Sequence, residues 1–382
     1  SAIVTRWESA AEEQAALRAA FNGLRHPLND PDRGEIRQLL GRVAATSRKG
    51  DDAEFRKLID FERFVARVAS CPSAVGLDWI QQRVLRKSLQ DDTSGLGTDG
   101  ELQLLHLERP ADDVAVAYAL VVNANGSDET FRLWLCRVRA VWRLFDWERI
   151  EAGLSEAAIQ ARLQTAARQS GYGEYLAGIA DFSAADESNR QGNEEAAIAR
   201  LDAASRRSVP PVIEDYYFYL LALRWNLLGE GDRCLEACRR VQRPDQTPGV
   251  YFLQAVWWNQ QDRNAQSLQA VENYERVAGF LPSLGRIKAN LLEAAQRRSE
   301  ATAYWRRLAE FSPSNTDDMF NYCQSLPEAQ RAGILDVVQR AEEPVRIAAA
   351  LARQWLSQDD EATLILLQRF VSQHASGTPE AL

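Results

Sequence analysis

Apolar positions in residues 216–244 recur at helical spacing. Phe218, Leu221, Ala222 and Trp225 share one face, Cys234, Leu235, Cys238 and Val241 a second, and Gly229-Glu-Gly lies between. The pattern predicts two short helices folded back on each other. Each can bury one stripe on its partner and leaves another bare, so the unit needs similar units stacked beside it. From residue 154 to the end the period stays helical. Turn residues Gln191-Gly-Asn, Gly229-Glu-Gly and Gln261-Asp-Arg separate paired helices, and residues 317–326, 328–341, 344–356 and 359–373 read as one or two divergent hairpins closing the stack.

The first part of the chain has a different texture. An alanine- and glutamate-rich helix over 7–24 forms a lead-in arm, followed by helices over 34–46, 52–69 and 77–89. Beyond the Gly- and Asp-rich stretch 91–100 the period drops to two, predicting strands over 101–108, 114–122, 130–138 and 140–147. Asn125-Gly126 is a hairpin signal because both residues tolerate positive φ. Helices followed by an antiparallel meander define an α+β domain. Along the second strand Val114, Val116, Tyr118 and Leu120 share one face and Ala115, Ala117, Ala119 and Val121 the other, so both faces should be covered. The expected organisation is an arm (1–32), an α+β domain (33–153) and an all-helical array (154–382).

Phe218-x2-Leu221-Ala222-x2-Trp225 with Cys234-x3-Cys238 and Pro244 resembles the tetratricopeptide repeat. Equivalents of the second half stand at Ala197-x3-Leu201, Ala270-x3-Tyr274 and Ala301-x3-Trp305. Their spacings of 37, 36 and 31 residues lie close to the family's period of about 34, and Pro282 and Pro313 follow in place. About three extra residues enter the third unit at 264–266. The resemblance implies a concave groove lined by the first helix of each hairpin. It makes Phe182, Tyr219 and Phe252 one set of equivalent groove positions and Asn189, Asn226 and Asn259 another, the amides suited to pairing with an extended peptide backbone. Helix C-termini also favour Asn, which gives these three a local explanation too.

The order of the first part, ending in FRLWLCRVRAVWRLFDWERIEAGL, resembles the nuclear transport factor 2-like (cystatin-like) superfamily over residues 33–153. That resemblance implies a curved sheet whose concave face forms a cone, open for a ligand or catalysis, or filled. Pocket candidates are His106, Tyr118, Trp134 and Trp142, with Asp60, Glu62 and Asp146 as possible carboxylate partners of His106.

Composition narrows the functional classes. The 382 residues carry a formal net charge of −9, most of the excess in 151–382, which disfavours a nucleic-acid partner. No apolar run reaches the length of a membrane span, so a membrane association would need an anchor upstream of Ser1, and the compartment is open. Five cysteines form no Cys-x2-Cys pair. Cys234 and Cys238, one helical turn apart with no histidine nearby, read as packing residues before a metal or redox pair. Trp257 and Trp258 point about 100° apart on a helix, so one packs inward and the other elsewhere. No phosphate loop, dinucleotide fingerprint or activated nucleophile occurs, and no cofactor is expected. The chain reads as a non-enzymatic scaffold for a protein or peptide, with a homodimer as one form of assembly. The alternative is a ligand-binding or enzymatic first domain with the repeats serving assembly.

Overall fold

The computed structural model describes residues 32–71, 73, 79–92, 96, 100–122, 128–313, 315–341, 343–356, 358 and 360–374. The arm at 7–24, the Asn125-Gly126 turn and most of the 91–100 stretch lie outside them. The chain divides into two compact units, whose longest stretches are Pro31–Gly279 and Phe280–Leu382.

In the first unit α1 (Arg33–Lys49) buries Ile36, Leu39, Leu40 and Val43 at helical spacing and stops at Gly50 in the left-handed conformation. The expected helix over 52–69 is two helices, α2 (Asp52–Lys57) and α3 (Phe61–Ser70), capped by the Asp51 and Asp60 carboxylates. The break has a tertiary cause. Leu58 O accepts from Leu144 N at 2.9 Å and Asp60 N donates to Leu144 O at 2.8 Å, so residues 58–60 complete the hydrogen bonds of a strand edge that would otherwise go unpaired. Helix α4 (Trp79–Asp92) follows.

The strands β1 (Glu101–Ala111), β2 (Val114–Val122), β3 (Asp128–Val138), β4 (Val141–Arg149) and β5 (Leu154–Ser155) form one antiparallel sheet in sequential order. β5 is a two-residue strand beyond the last expected one. Ala115, Ala117, Ala119, Leu133, Leu135, Trp142 and Leu144 pack in one core with α1 to α4. On the other face Val116, Tyr118 and Trp134 are buried as well, so both faces are covered, as the two apolar faces of β2 demand. The β3–β4 turn is two residues, Arg139 and Ala140, at φ 50° and 66°.

Helix α5 (Glu156–Ala166) leads into hairpins α6/α7 (Tyr172–Arg190, Glu194–Ser205), α8/α9 (Pro211–Leu227, Gly231–Arg240) and α10/α11 (Gly249–Gln260, Asn264–Ala278). Between hairpins, α7 packs on α8 and α9 on α10. The second unit continues with α12/α13 (Pro282–Ala294, Arg298–Phe311), α14 (Thr316–Ser325), α15 (Ile334–Val338) and the hairpin α16/α17 (Pro344–Trp355, Glu361–His374).

A single turn geometry shows the repeat. Gly192, Gly229, Asp262 and Gln296 occupy the left-handed region at φ 74°, 76°, 55° and 61°. The following residue closes the same bond each time: Asn193 N to Ser188 O (2.9 Å), Glu230 N to Trp225 O (2.9 Å), Arg263 N to Trp258 O (2.8 Å) and Arg297 N to Leu292 O (2.8 Å). This is how a helix end satisfies its last carbonyls before reversing. The third unit does not carry the expected extra residues at 264–266: its second helix starts two residues after the left-handed position, as the others do, and buried Ser267, not Ala270, stands where Ala197, Cys234 and Ala301 stand in their units.

The expected border at 153/154 falls inside the first unit. Gly249 N donates to Ala152 O at 3.0 Å, and Arg162 donates to Gln246 O (2.7 Å) and to Thr247 Oγ1 (3.3 Å). Arg132 donates to Ala278 O (3.0 Å), and the Tyr274 hydroxyl donates to Ile150 O.

Candidate functional site

Phe182 and Asn189 on α6, Tyr219 and Asn226 on α8, and Phe252 and Asn259 on α10 are seven residues apart in each pair, which puts both members on one side of their helix. The structure separates the pairs into a closed and an open end. Phe182 is buried against the Tyr217 ring at 5.1 Å with the Arg224 guanidinium 5.2 Å from its own ring. Tyr219 is buried in the crevice around Gly249 and the Ala152 carbonyl, and burial pushes its hydroxyl pKa up. These two are therefore core residues. The chain's own segment from Ile150 through α5 folds onto the first-helix face, and α5 packs directly on α8. Phe252 is half-buried.

The asparagines lie at the open end, Asn189 exposed and Asn226 and Asn259 half-buried. Their backbone carbonyls accept from Gly192 N (2.9 Å), Gly229 N (3.0 Å) and Asp262 N (3.2 Å), so the three are structurally equivalent. The turns are closed by main-chain atoms. The side-chain amides of Asn189, Asn226 and Asn259 take no part in that closure and pair with no described residue. Beside them Arg224 of α8 pairs with Asp186 of α6 at 3.6 Å, linking neighbouring first helices one turn inward.

The pocket candidates of the sheet do not converge. Trp142 points into the helix-covered core, with the Arg109 and Arg137 guanidinium groups 4.9 and 5.6 Å from its ring. Tyr118 and Trp134 belong to the opposite face and are buried, Trp134 under Arg67 at 4.7 Å. His106 is half-buried, its Nε2 3.9 Å from a Glu108 carboxylate oxygen and its ring 5.8 Å from that of Tyr118. The carboxylates expected near it are engaged elsewhere: Asp60 caps α3, Glu62 pairs with Arg86, and Asp146 accepts from Trp147 N, Ala157 N and Arg67.

The partner of His106 is Glu108, which the sequence reading missed. Glu108, Tyr118, Arg132 and Glu148 form a buried charged cluster on β1 to β4, with Arg132 2.7 Å from Glu148. Burial is the main cause that raises the Glu108 carboxyl to about 7, against the pull of Arg132 and a hydrogen bond from Tyr118. Arg132 stays protonated despite burial because Glu148 holds its charge. Breaking such a pair from one side leaves an uncompensated buried ion, at a cost of about 3–5 kcal/mol. The cluster also reaches the Ala278 carbonyl through Arg132, fastening the sheet to the end of α11.

Cys234 and Cys238 are buried in the array core, and the hydrogen bond between them together with burial raises the Cys238 thiol pKa. Trp257 packs flat on Gly231, while Trp258 is half-buried on another side of α10. Among the described residues no group of His, Cys, Asp and Glu is arranged to hold a metal, and no helix is long and apolar enough to cross a membrane.

The fold is thus an antiparallel-sheet α+β domain joined to a tetratricopeptide-like array of helical hairpins. No protein-family model matches the chain, and no curated protein matches it in sequence. Among solved structures it is similar to YrrB, a tetratricopeptide-repeat protein with an unusual peptide-binding site, at 12% identity and TM-score 0.31 over 42% of this chain and 91% of that one. It is also similar to pilF of Pseudomonas aeruginosa, at 14% identity and TM-score 0.35 over 54% and 95%. A third is a thermophilic tetratricopeptide protein of Thermus thermophilus, at 18% identity and TM-score 0.30 over 51% and 98%. At these values the likeness carries no assignment, and the shared turn geometry shows only that consecutive helical hairpins repeat.

Proposed function

We propose that the chain is a non-enzymatic protein-interaction scaffold that holds an extended segment of a partner protein along the open ends of its first helices. The observation that carries this reading is the set of amides at Asn189, Asn226 and Asn259 that pair with no described residue, one per consecutive hairpin at an equivalent position. A side-chain amide offers both a donor and an acceptor, the complement of a peptide unit. A row of them can therefore hold a main chain whatever its side chains. Because α5 packs on α8, and Tyr217 and Arg224 cover Phe182, the partner is held to the strip beyond Arg224 and Asp186.

The alternative, a nuclear transport factor 2-like domain with an open cone, has less behind it, because Tyr118, Trp134 and Trp142 are all buried and lie on opposite faces of the sheet.

Site-specific photo-crosslinking tests the proposal. A photoreactive residue in place of Asn226 or Asn259 is expected to capture a partner in extract of the source cells, while the same residue in place of the exposed Glu236 on α9 does not. Equal capture from position 236, or none from 226 and 259, overturns it.

A further inference from the structure

A second place in the molecule combines charges of both signs with a defined space. In the second unit α14 and the end of α16 border an open cleft of about 510 Å³, lined by Asp317, Phe320, Asn321, Arg353, Gln354 and Gln358. Asp317, Phe320 and Asn321 follow at helical spacing along one face of α14. The first turn of that helix is fixed by the Asn315 side chain, which accepts from the amides of Asp317 and Asp318 at 3.0 and 3.1 Å. Phe320 is held edge-on by Trp355 at 4.9 Å. The space lies within the range of about 300–1,000 Å³ usual for small-molecule sites.

The two charges in the cleft have opposite sign and do not neutralise each other. Asp317 Oδ1 accepts from Gln354 Nε2 at 2.8 Å, and its Oδ2 has no described partner. Arg353 lines the cleft, and its Nε donates to the Ala349 carbonyl at 3.3 Å, leaving the two terminal nitrogens of its fork without a described partner. The Asn321 amide is likewise uncommitted. A peptide C-terminus would satisfy only the guanidinium and an N-terminus only the carboxylate. A molecule carrying both ends satisfies both.

We propose that this cleft binds a small α-zwitterion, an amino acid with a large apolar side chain. The ligand carboxylate would sit on the Arg353 fork and the Asn321 amide, its ammonium on Asp317 Oδ2, and its side chain against the Phe320 ring. The site lies in the other compact unit from the asparagine strip. It goes beyond the scaffold reading and stands or falls without it.

The test is titration of the full chain with free phenylalanine, phenylalanine amide and N-acetylphenylalanine, followed by NMR or calorimetry. Free phenylalanine is expected to bind saturably and more tightly than either capped form. Arg353→Gln should weaken it by about tenfold or more, and so should Asp317→Asn, the magnitude expected for losing one charge-assisted hydrogen bond. Binding of N-acetylphenylalanine should fall in Arg353→Gln and hold in Asp317→Asn. Neither side chain belongs to the buried core, so circular dichroism should show both variants folded. Saturable binding only of N-acetylphenylalanine would assign the cleft to a peptide terminus and overturn the zwitterion. So would the absence of saturation by free phenylalanine up to about 10 mM. Unchanged affinity in both variants would equally overturn it.

Discussion

Gly249 is one of the points at which the sheet domain and the array meet closely, and Gly249→Ala tests that junction. A Cβ built there comes within 2.8 Å of the Tyr219 ring and 2.9 Å of the Ala152 carbonyl, one neighbour a packed aromatic and the other main chain. Gly249 opens α10, where alanine by itself would gain at most about 0.5–1 kcal/mol through reduced backbone entropy. Overpacking a tight contact costs about 1–3 kcal/mol. If α10 shifts to relieve it, the 3.0 Å bond from Gly249 N to Ala152 O is lost, worth about 0.5–1.5 kcal/mol. The balance is a destabilisation of about 1–3 kcal/mol, or roughly 3–10 °C in the melting temperature for a unit of this size. The assay is urea and thermal unfolding followed by tryptophan fluorescence, with amide exchange at residue 249 as the local reporter. Tyr219→Leu removes the ring that the new methyl meets. In its presence the cost of Gly249→Ala should shrink by at least about 0.5 kcal/mol, the coupling typical of residues in contact. A variant as stable as wild type, or two losses that simply add, would refute the close packing of the array on residues 150–152.

Two further outcomes follow from backbone strain and from the buried charge. Arg139 and Ala140 both adopt left-handed backbone in the β3–β4 turn, which costs a non-glycine residue roughly 1–2 kcal/mol, so Arg139→Asn with Ala140→Gly should raise stability by about 1–3 kcal/mol. An unchanged or lower urea midpoint would contradict this. Burial raises the Glu108 carboxyl from 4.5 to about 7 in the folded chain. The folded state therefore holds this proton more tightly than the unfolded one. Its stabilising contribution is complete below about pH 4.5 and is lost as the pH rises through 7, at up to about 1.4 kcal/mol per pH unit. Glu108→Gln should remove that slope, and parallel stability curves of wild type and variant between pH 4.5 and 8 would refute it.

The groove residues show where local pattern stops being informative. The spacing that places Phe182 with Asn189 and Tyr219 with Asn226 on common stripes is correct, because helical period depends only on the chain itself. Whether a stripe faces water depends on what folds across it. Tyr219 is covered from Ala152, far away in sequence, and Phe182 from Tyr217 and Arg224 of the next hairpin, so their burial is not legible while the equivalence of the asparagines is. The surroundings of His106 show the same limit. His106 lies near Glu108, two residues along the same strand, and not near Asp60, Glu62 or Asp146, while strand register adds Arg132 and Glu148 from β3 and β4. No motif marks a cluster assembled one residue per strand.

By itself the sequence determined the helical hairpins, the position of their left-handed turns, the antiparallel meander and the need to cover both faces of β2, since these follow from period, turn chemistry and hydrophobicity within short windows. The tertiary structure decided the break at residues 58–60, the junction across the 153/154 border, which groove positions are core and which amides stay open. Each of these is an interaction between segments that only meet once the chain has folded. Hydrogen-bond satisfaction at the β4 edge, packing around Gly249 and the balance of buried charge at Arg132 are properties of such meetings, and a one-dimensional pattern does not contain them.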